Sequence, residues 1–178
     1  MRKVSWVSIV ACGGAWLGSA SGQEGPGLGV PATPEQVAGW DISIGPDGAG
    51  LPPGSGTAAA GKTVYEAKCV ACHGVDGASG PNDRLVGGQG TLRDAAPIRT
   101  IGSYWPYATT LFDYLRRAMP YVTPHSLTAD ETYALTAYLL ALNGVIEQNA
   151  VMNATTLPQV VMPNRDNFDS AYREPRQR

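Results

Sequence analysis

The stretch from Glu66 to Gly77, EAKCVACHGVDG, constrains this chain more than any other. Cys69 and Cys72 flank two small residues, and His73 follows at once. The chain has only one further cysteine and one further histidine. A thioredoxin-like redox pair follows a strand and opens a helix. Here a helical pattern precedes the pair and a glycine loop follows it. A zinc site needs a second half, and only His125 remains to add to the motif once the N-terminal cysteine is set aside. A disulfide across two residues is the purely structural use. Covalent haem attachment fits best: two thiols form thioethers to the two haem vinyl groups, and the adjacent histidine reaches the iron. One such motif predicts one haem c, held by Cys69 and Cys72 with His73 as an axial ligand. The second ring nitrogen of His73 then needs a backbone carbonyl, and the loop around Gly80, Pro81 and Leu85 is the natural place for it.

The N-terminus bears on compartment. MRKVSWVSIVACGGAWLGSASGQ begins with Arg2 and Lys3, continues apolar to about Leu17, and ends in small residues. That is the pattern of a secretory signal over residues 1–22, with cleavage near Gly22 and a periplasmic mature protein. The apolar run is too short and glycine-rich for a membrane span. A lipoprotein signal ending at Cys12 is the rival reading. Cleavage removes two basic residues, no acid and Cys12, so the net charge moves from −2 to −4. Neither value gives a reason to expect nucleic acid or an anionic membrane surface.

The mature chain divides by pattern. Residues 23–56 are dense in Gly and Pro and read as an extended arm, with Trp40 and Ile42 expected to pack on the domain itself. Residues 57–147 carry the helical patterns. The first helix runs from about Ala58 to Val70, with Gly61, Tyr65 and Cys69 on one face and Gly61 admitting another helix closely. A second starts at Thr110 as cap, with Asp113 in its first turn, has Leu111, Phe112, Leu115 and Met119 on its apolar face, and stops at Pro120. The last opens on the capping pair Thr128 and Glu131, continues through Leu135, Tyr138, Leu139 and Leu142, and stops at Gly144. Residues 148–178 return to irregular sequence. No strand pattern stands out. The fold class expected is all-α, three to four helices around one covalent haem, with irregular arms.

Four side chains compete for the sixth iron position: Met119, Met152, Met162 and His125. Met119 is favoured because it lies between the second and last helices and is followed by Pro120, facing the pocket. Core packing is its ordinary alternative. Met152 and Met162 require the tail to fold back, and a lone histidine beside Pro124 is more often solvated.

These residues resemble a class I cytochrome c over about Thr57 to Asn143. The shared features are Gly61 and Tyr65 in the first helix, CVACHG, the AMP segment, and Tyr138 with Leu139 in the last helix. The chain also resembles the cytochrome subunits of sulfane dehydrogenases of the Sox sulfur-oxidation system and related sulfite dehydrogenases. The stretches that carry this are GWDISIGPDGAGLPPGSGT, RTIGSYWPYATTLFDYLRRAMPY, SLTADETYALTAYLLALNG and LPQVVMPNRDNF. Larger relatives carry a second haem domain, whereas one motif here implies one haem. The resemblance implies haem attachment at Cys69 and Cys72, axial ligation by His73 and Met119, and a place near the haem propionates for Arg99, Tyr104 and Trp105. It implies a sulfite-oxidase-type molybdopterin subunit as partner and a small soluble cytochrome c as electron acceptor.

The functional reading is therefore a periplasmic electron carrier rather than an enzyme, since two filled axial positions leave no place for substrate. A free-standing carrier, a haem sensor or enzyme with an open sixth position, and a structural haem module are the competing readings. No Ser–His–Asp set, phosphate loop or carboxylate pair suggests catalysis by the chain itself.

Overall fold

Ala134, in the middle of the last long helix, is where the chain is pressed together. The computed structural model describes residues 28–168; the signal-like segment and Cys12 lie outside them. Its elements are α1 (Pro34–Trp40), β1 (Ser55–Thr57), α2 (Ala58–Lys68), α3 (Val70–His73), α4 (Ala108–Ala118), α5 (Ala129–Leu142) and β2 (Val151–Asn153). Single 3-10 turns occupy Thr91–Arg93 and Leu157–Gln159.

α5 is the central helix because nine of its 14 residues are buried. Its start is the expected capping box: Thr128 Oγ1 accepts from the Glu131 N–H at 3.2 Å, and Glu131 Oε2 accepts from the Thr128 N–H at 3.0 Å. α2 crosses it at Gly61, where an added Cβ would overlap the Ala134 carbonyl. β1 lies against the same residue, since a Cβ on Gly56 would meet the Ala134 backbone N and Cα. Two glycines thus bring two elements into backbone contact with one turn of α5, which no side chain would allow. α4 packs on α5 through Phe112 and Tyr133, whose ring centroids lie 4.4 Å apart. Such a pair contributes about 0.5–1.5 kcal/mol beyond its area burial. The Tyr133 hydroxyl donates to the Pro52 carbonyl at 2.9 Å, which fastens the segment before β1 to the same face.

Several local readings change. α4 begins at Ala108, directly after Pro106, with Tyr107 as N-cap and no side-chain cap. Thr110 is therefore not the cap. Asp113 sits mid-helix and pairs with Arg117 at 2.8 Å, one turn on. The motif helix breaks at Cys69, so α2 ends at Lys68 and α3 is a separate turn. β1 and β2 form an antiparallel ribbon, Ser55 opposite Asn153 and Thr57 opposite Val151. Strands of three residues are too short to show alternation in a sequence.

The two flanking segments behave differently. Residues 148–168 fold back, and Met152, Leu157 and Met162 are buried in the main core with Tyr65, Phe112 and Leu139. The N-terminal segment sends Ile44 and Leu51 to the core edge. Upstream it forms α1, which the sequence pattern did not reveal, and Trp40 is exposed there rather than packed. No helix among the described residues is long and apolar enough to cross a membrane.

Gly61→Ala should destabilise the holo protein by about 1–3 kcal/mol, because the α2–α5 crossing must open. Gly39→Ala, where the added Cβ meets nothing, should stay within about 0.5 kcal/mol of wild type. Equilibrium denaturant unfolding of both variants checks this, and equal stability would remove the crossing from its central place.

Candidate haem-attachment site

α2 delivers the motif. Its last turn runs into Cys69, whose N–H donates to the Tyr65 carbonyl at 2.8 Å. α3 then carries Val70 to His73 in one turn, with the Cys72 and His73 N–H groups both donating to the Cys69 carbonyl. The sulfurs of Cys69 and Cys72 are unpaired, the first half-buried and the second exposed. Burial is the main reason the Cys69 thiol is pushed up to about 11, with the Lys68 ammonium acting the other way. Cys69 is thus held as the neutral thiol, the form that can add to a vinyl group, and the Cys72 sulfur stands exposed three residues on.

The backbone after the motif turns back on itself. Gly74 has φ +78°, a positive value that suits glycine. A Cβ on Gly80 would strike the Cys72 carbonyl, the His73 carbon and the Gly74 N. The Asn82 N–H donates to the Cys72 carbonyl at 3.0 Å, and the Tyr65 hydroxyl donates to the Gly74 carbonyl at 2.8 Å. Burial foremost, with Cys69, Tyr138 and Asp76 nearby, pushes Tyr65 up to about 12, so it keeps this proton at all ordinary pH values.

This turn brings the Asp83 carbonyl to 2.9 Å from His73 Nδ1. A carbonyl only accepts, so Nδ1 carries the proton and Nε2 keeps its lone pair for a metal. The acceptor belongs to the loop expected from the sequence. Among the described residues, no group of three or more His, Cys, Asp or Glu side chains could hold a metal alone. Two free thiols beside one oriented imidazole fit a metal carried by a covalently attached porphyrin and fit a protein-only zinc site poorly.

The candidates for the sixth position separate clearly. Met152 and Met162 are buried at 4% and 1% exposure inside the protein core. His125 is exposed, on a loop where its φ is 62°. Met119 is half-buried as the C-cap of α4 and packs against the edge of the core, as Cys69, Leu85 and Trp105 also do. Trp105 meets Tyr114 edge-on at 5.5 Å. Arg99 and Tyr104 pair with each other. The guanidinium lies 5.5 Å over the tyrosine ring, and both line a cleft of about 670 Å³ with Gln89, Arg93, Asn164 and Phe168. The structure thus groups Arg99 with Tyr104 and gives Trp105 a different neighbour.

Two contributors were missed in the sequence. Asn143 donates from Nδ2 to the Leu85 carbonyl at 3.1 Å and accepts from the Gly87 N–H at 3.3 Å, tying the loop past His73 to the end of α5. Its place just before Gly144 marked only a helix stop. Lys68 pairs with Glu131 at 2.6 Å, joining the residue before Cys69 to the first turn of α5.

Residues 58–143 match the family model described as cytochrome c. No curated protein matches the chain. Among solved structures, it is similar to a chain of the sulfane dehydrogenase SoxCD from Paracoccus pantotrophus. The identity is 44% and the TM-score 0.76, and the match covers 81% of this chain and 71% of that one.

The Lys68 hydrogen bond, followed by that from the Thr128 N–H, holds the Glu131 carboxyl below its usual range. A carboxyl lowered in the folded state adds stability that is complete above its unfolded value, about 4.3. That stability is lost as pH falls through the lower folded value. Wild type should lose stability from about pH 4.3 downward, and Glu131→Gln should be weaker at neutral pH with a flatter acid limb. Denaturant midpoints measured from pH 7 to pH 3 give both slopes; parallel curves would show that Glu131 contributes nothing.

Proposed function

The chain belongs to the cytochrome c family, and from that membership we propose that it is the electron-accepting subunit of a periplasmic, molybdenum-dependent sulfane or sulfite dehydrogenase. The observation that carries this reading is the reach of the likeness to the sulfane dehydrogenase chain. It covers 81% of this chain, whereas the haem-family match is confined to residues 58–143. Segments flanking the haem unit are therefore shared as well.

When bound, the single haem c supplies one-electron redox chemistry at iron. In this reading the chain's own residues do the rest. Cys69 and Cys72 anchor the group through two thioethers. His73 presents Nε2 to the iron, its ring fixed by the Asp83 carbonyl. Met119 would be the chain's second donor to the iron, a thioether sulfur that would favour reduced iron relative to a second imidazole and so raise the potential. Trp105, with Arg99 and Tyr104, belongs on the propionate side. With His73 and Met119 both given to the iron, substrate chemistry would fall to the molybdopterin subunit, and a small soluble cytochrome c would take the electron onward. Residues 1–22 act as the export signal and 57–147 as the haem unit. A free-standing carrier is the second reading. It is favoured by residues 148–168, which bury Met152, Leu157 and Met162 in the chain's own core.

The test is purification of the tagged protein from its native host. The expected result is a molybdenum-containing subunit in near-equal amount, and haem that is reduced when sulfite or thiosulfate is added. Haem protein that purifies without molybdenum and stays oxidised with either compound would overturn the subunit role and leave the free carrier.

A further inference from the structure

Among the described residues, nothing covers α1. None of its seven residues is buried. Val37 and Trp40, three residues apart, share a face. With Val30 and Ala32 they line a shallow hollow of about 660 Å³. Leu28, Val30 and Trp40 are 88%, 90% and 85% exposed.

A helix this short is marginal in water on its own, yet its start is fully specified. Thr33 and Gln36 form a reciprocal capping box, and Pro34 fills the first position. The local sequence thus builds a helix whose apolar face the described residues leave uncovered. The C-terminal segment does the opposite and buries Met152, Leu157 and Met162.

Charge indicates what covers that face. Between residues 28 and 61 the chain carries Glu35, Asp41 and Asp47 and no lysine or arginine. Glu35 and Asp41 flank the Val37–Trp40 stripe. A second copy of the chain would bring the same acidic rim, and like charges facing across an interface oppose it. An apolar groove edged by lysine or arginine complements both features.

We propose that residues 28–41 are a docking element, with Val37 and Trp40 as anchors, for an apolar, basic-rimmed groove on the molybdenum subunit. The proposal rests on the subunit reading above and adds which segment makes the contact. Its recognition mode is an amphipathic helix laid in a groove. An exposed tryptophan on such a helix is the residue type that most often dominates binding.

The full-length holo protein is titrated against the purified molybdenum subunit by surface plasmon resonance. Trp40→Ala should weaken binding about thirtyfold or more. Glu35→Gln with Asp41→Asn should slow association and flatten its salt dependence. Val161→Ala, an exposed position on the C-terminal segment, should change nothing. Amide exchange over residues 34–40 should be fast in the isolated protein and slow in the complex. Wild-type affinity in Trp40→Ala would overturn the docking element while leaving the subunit reading intact. Slow exchange in the isolated protein would overturn it by showing that the chain itself, or a second copy, covers the helix. A wild-type protein that binds no molybdenum subunit would bring down both claims.

Discussion

The backbone contact of Gly56 and Gly61 with Ala134 is the constraint on which the other placements depend. It brings α2 against α5 closely enough for Tyr65 to be fully buried at the crossing. One turn later α2 ends, and the chain must present Cys69, Cys72 and His73 there. Lys68 closes the gap with its ion pair to Glu131, so the same helix that fixes the crossing also fixes where the motif begins. β1 also reaches Ala134 and draws in β2. Residues far apart in the chain are thereby folded around one turn of α5.

The chemistry of the site follows from how the backbone after His73 is held. Tyr65 grips the Gly74 carbonyl, Gly80 lies against the motif backbone, and Asn143 ties the later loop to α5. These contacts leave the Asp83 carbonyl facing His73 Nδ1, and one hydrogen bond then decides which ring nitrogen is free. The preparation is entirely local and needs no charged partner in contact with the imidazole. A ring held in this way would present Nε2 to a metal in a fixed orientation. The flanking segments divide their roles in the same physical terms. Met152, Leu157 and Met162 enter the core, whereas Val30, Val37 and Trp40 remain on the surface of an acidic stretch.

Much of this was legible in the sequence where local chemistry decides the outcome. The Cys69–His73 spacing, the Thr128–Glu131 box and Gly61 each act through neighbours a few residues away or through simple size, and each reads directly. Thr110 misled because a cap residue inside a helix looks the same as one at its start; Pro106 set the true boundary. The β1–β2 ribbon joins residues nearly a hundred positions apart in strands too short to show a period. α1 hid in a stretch whose glycines and prolines suggested no helix, although Thr33 and Gln36 hold its capping signature. The burial of Met152 and Met162 depended on the tail folding back, which no local pattern encodes. That burial also leaves Met119 and His125 as the candidates outside the core.

The proposal that iron sits between His73 and Met119 joins the fold to electron transfer, and one spectrum tests it most directly. The oxidised protein should show the weak near-infrared band of methionine sulfur bound to ferric haem. The band should vanish in Met119→Ala and persist in Met152→Ala and Met162→Ala. A band that survives in Met119→Ala, or is absent from the wild type, would contradict the account.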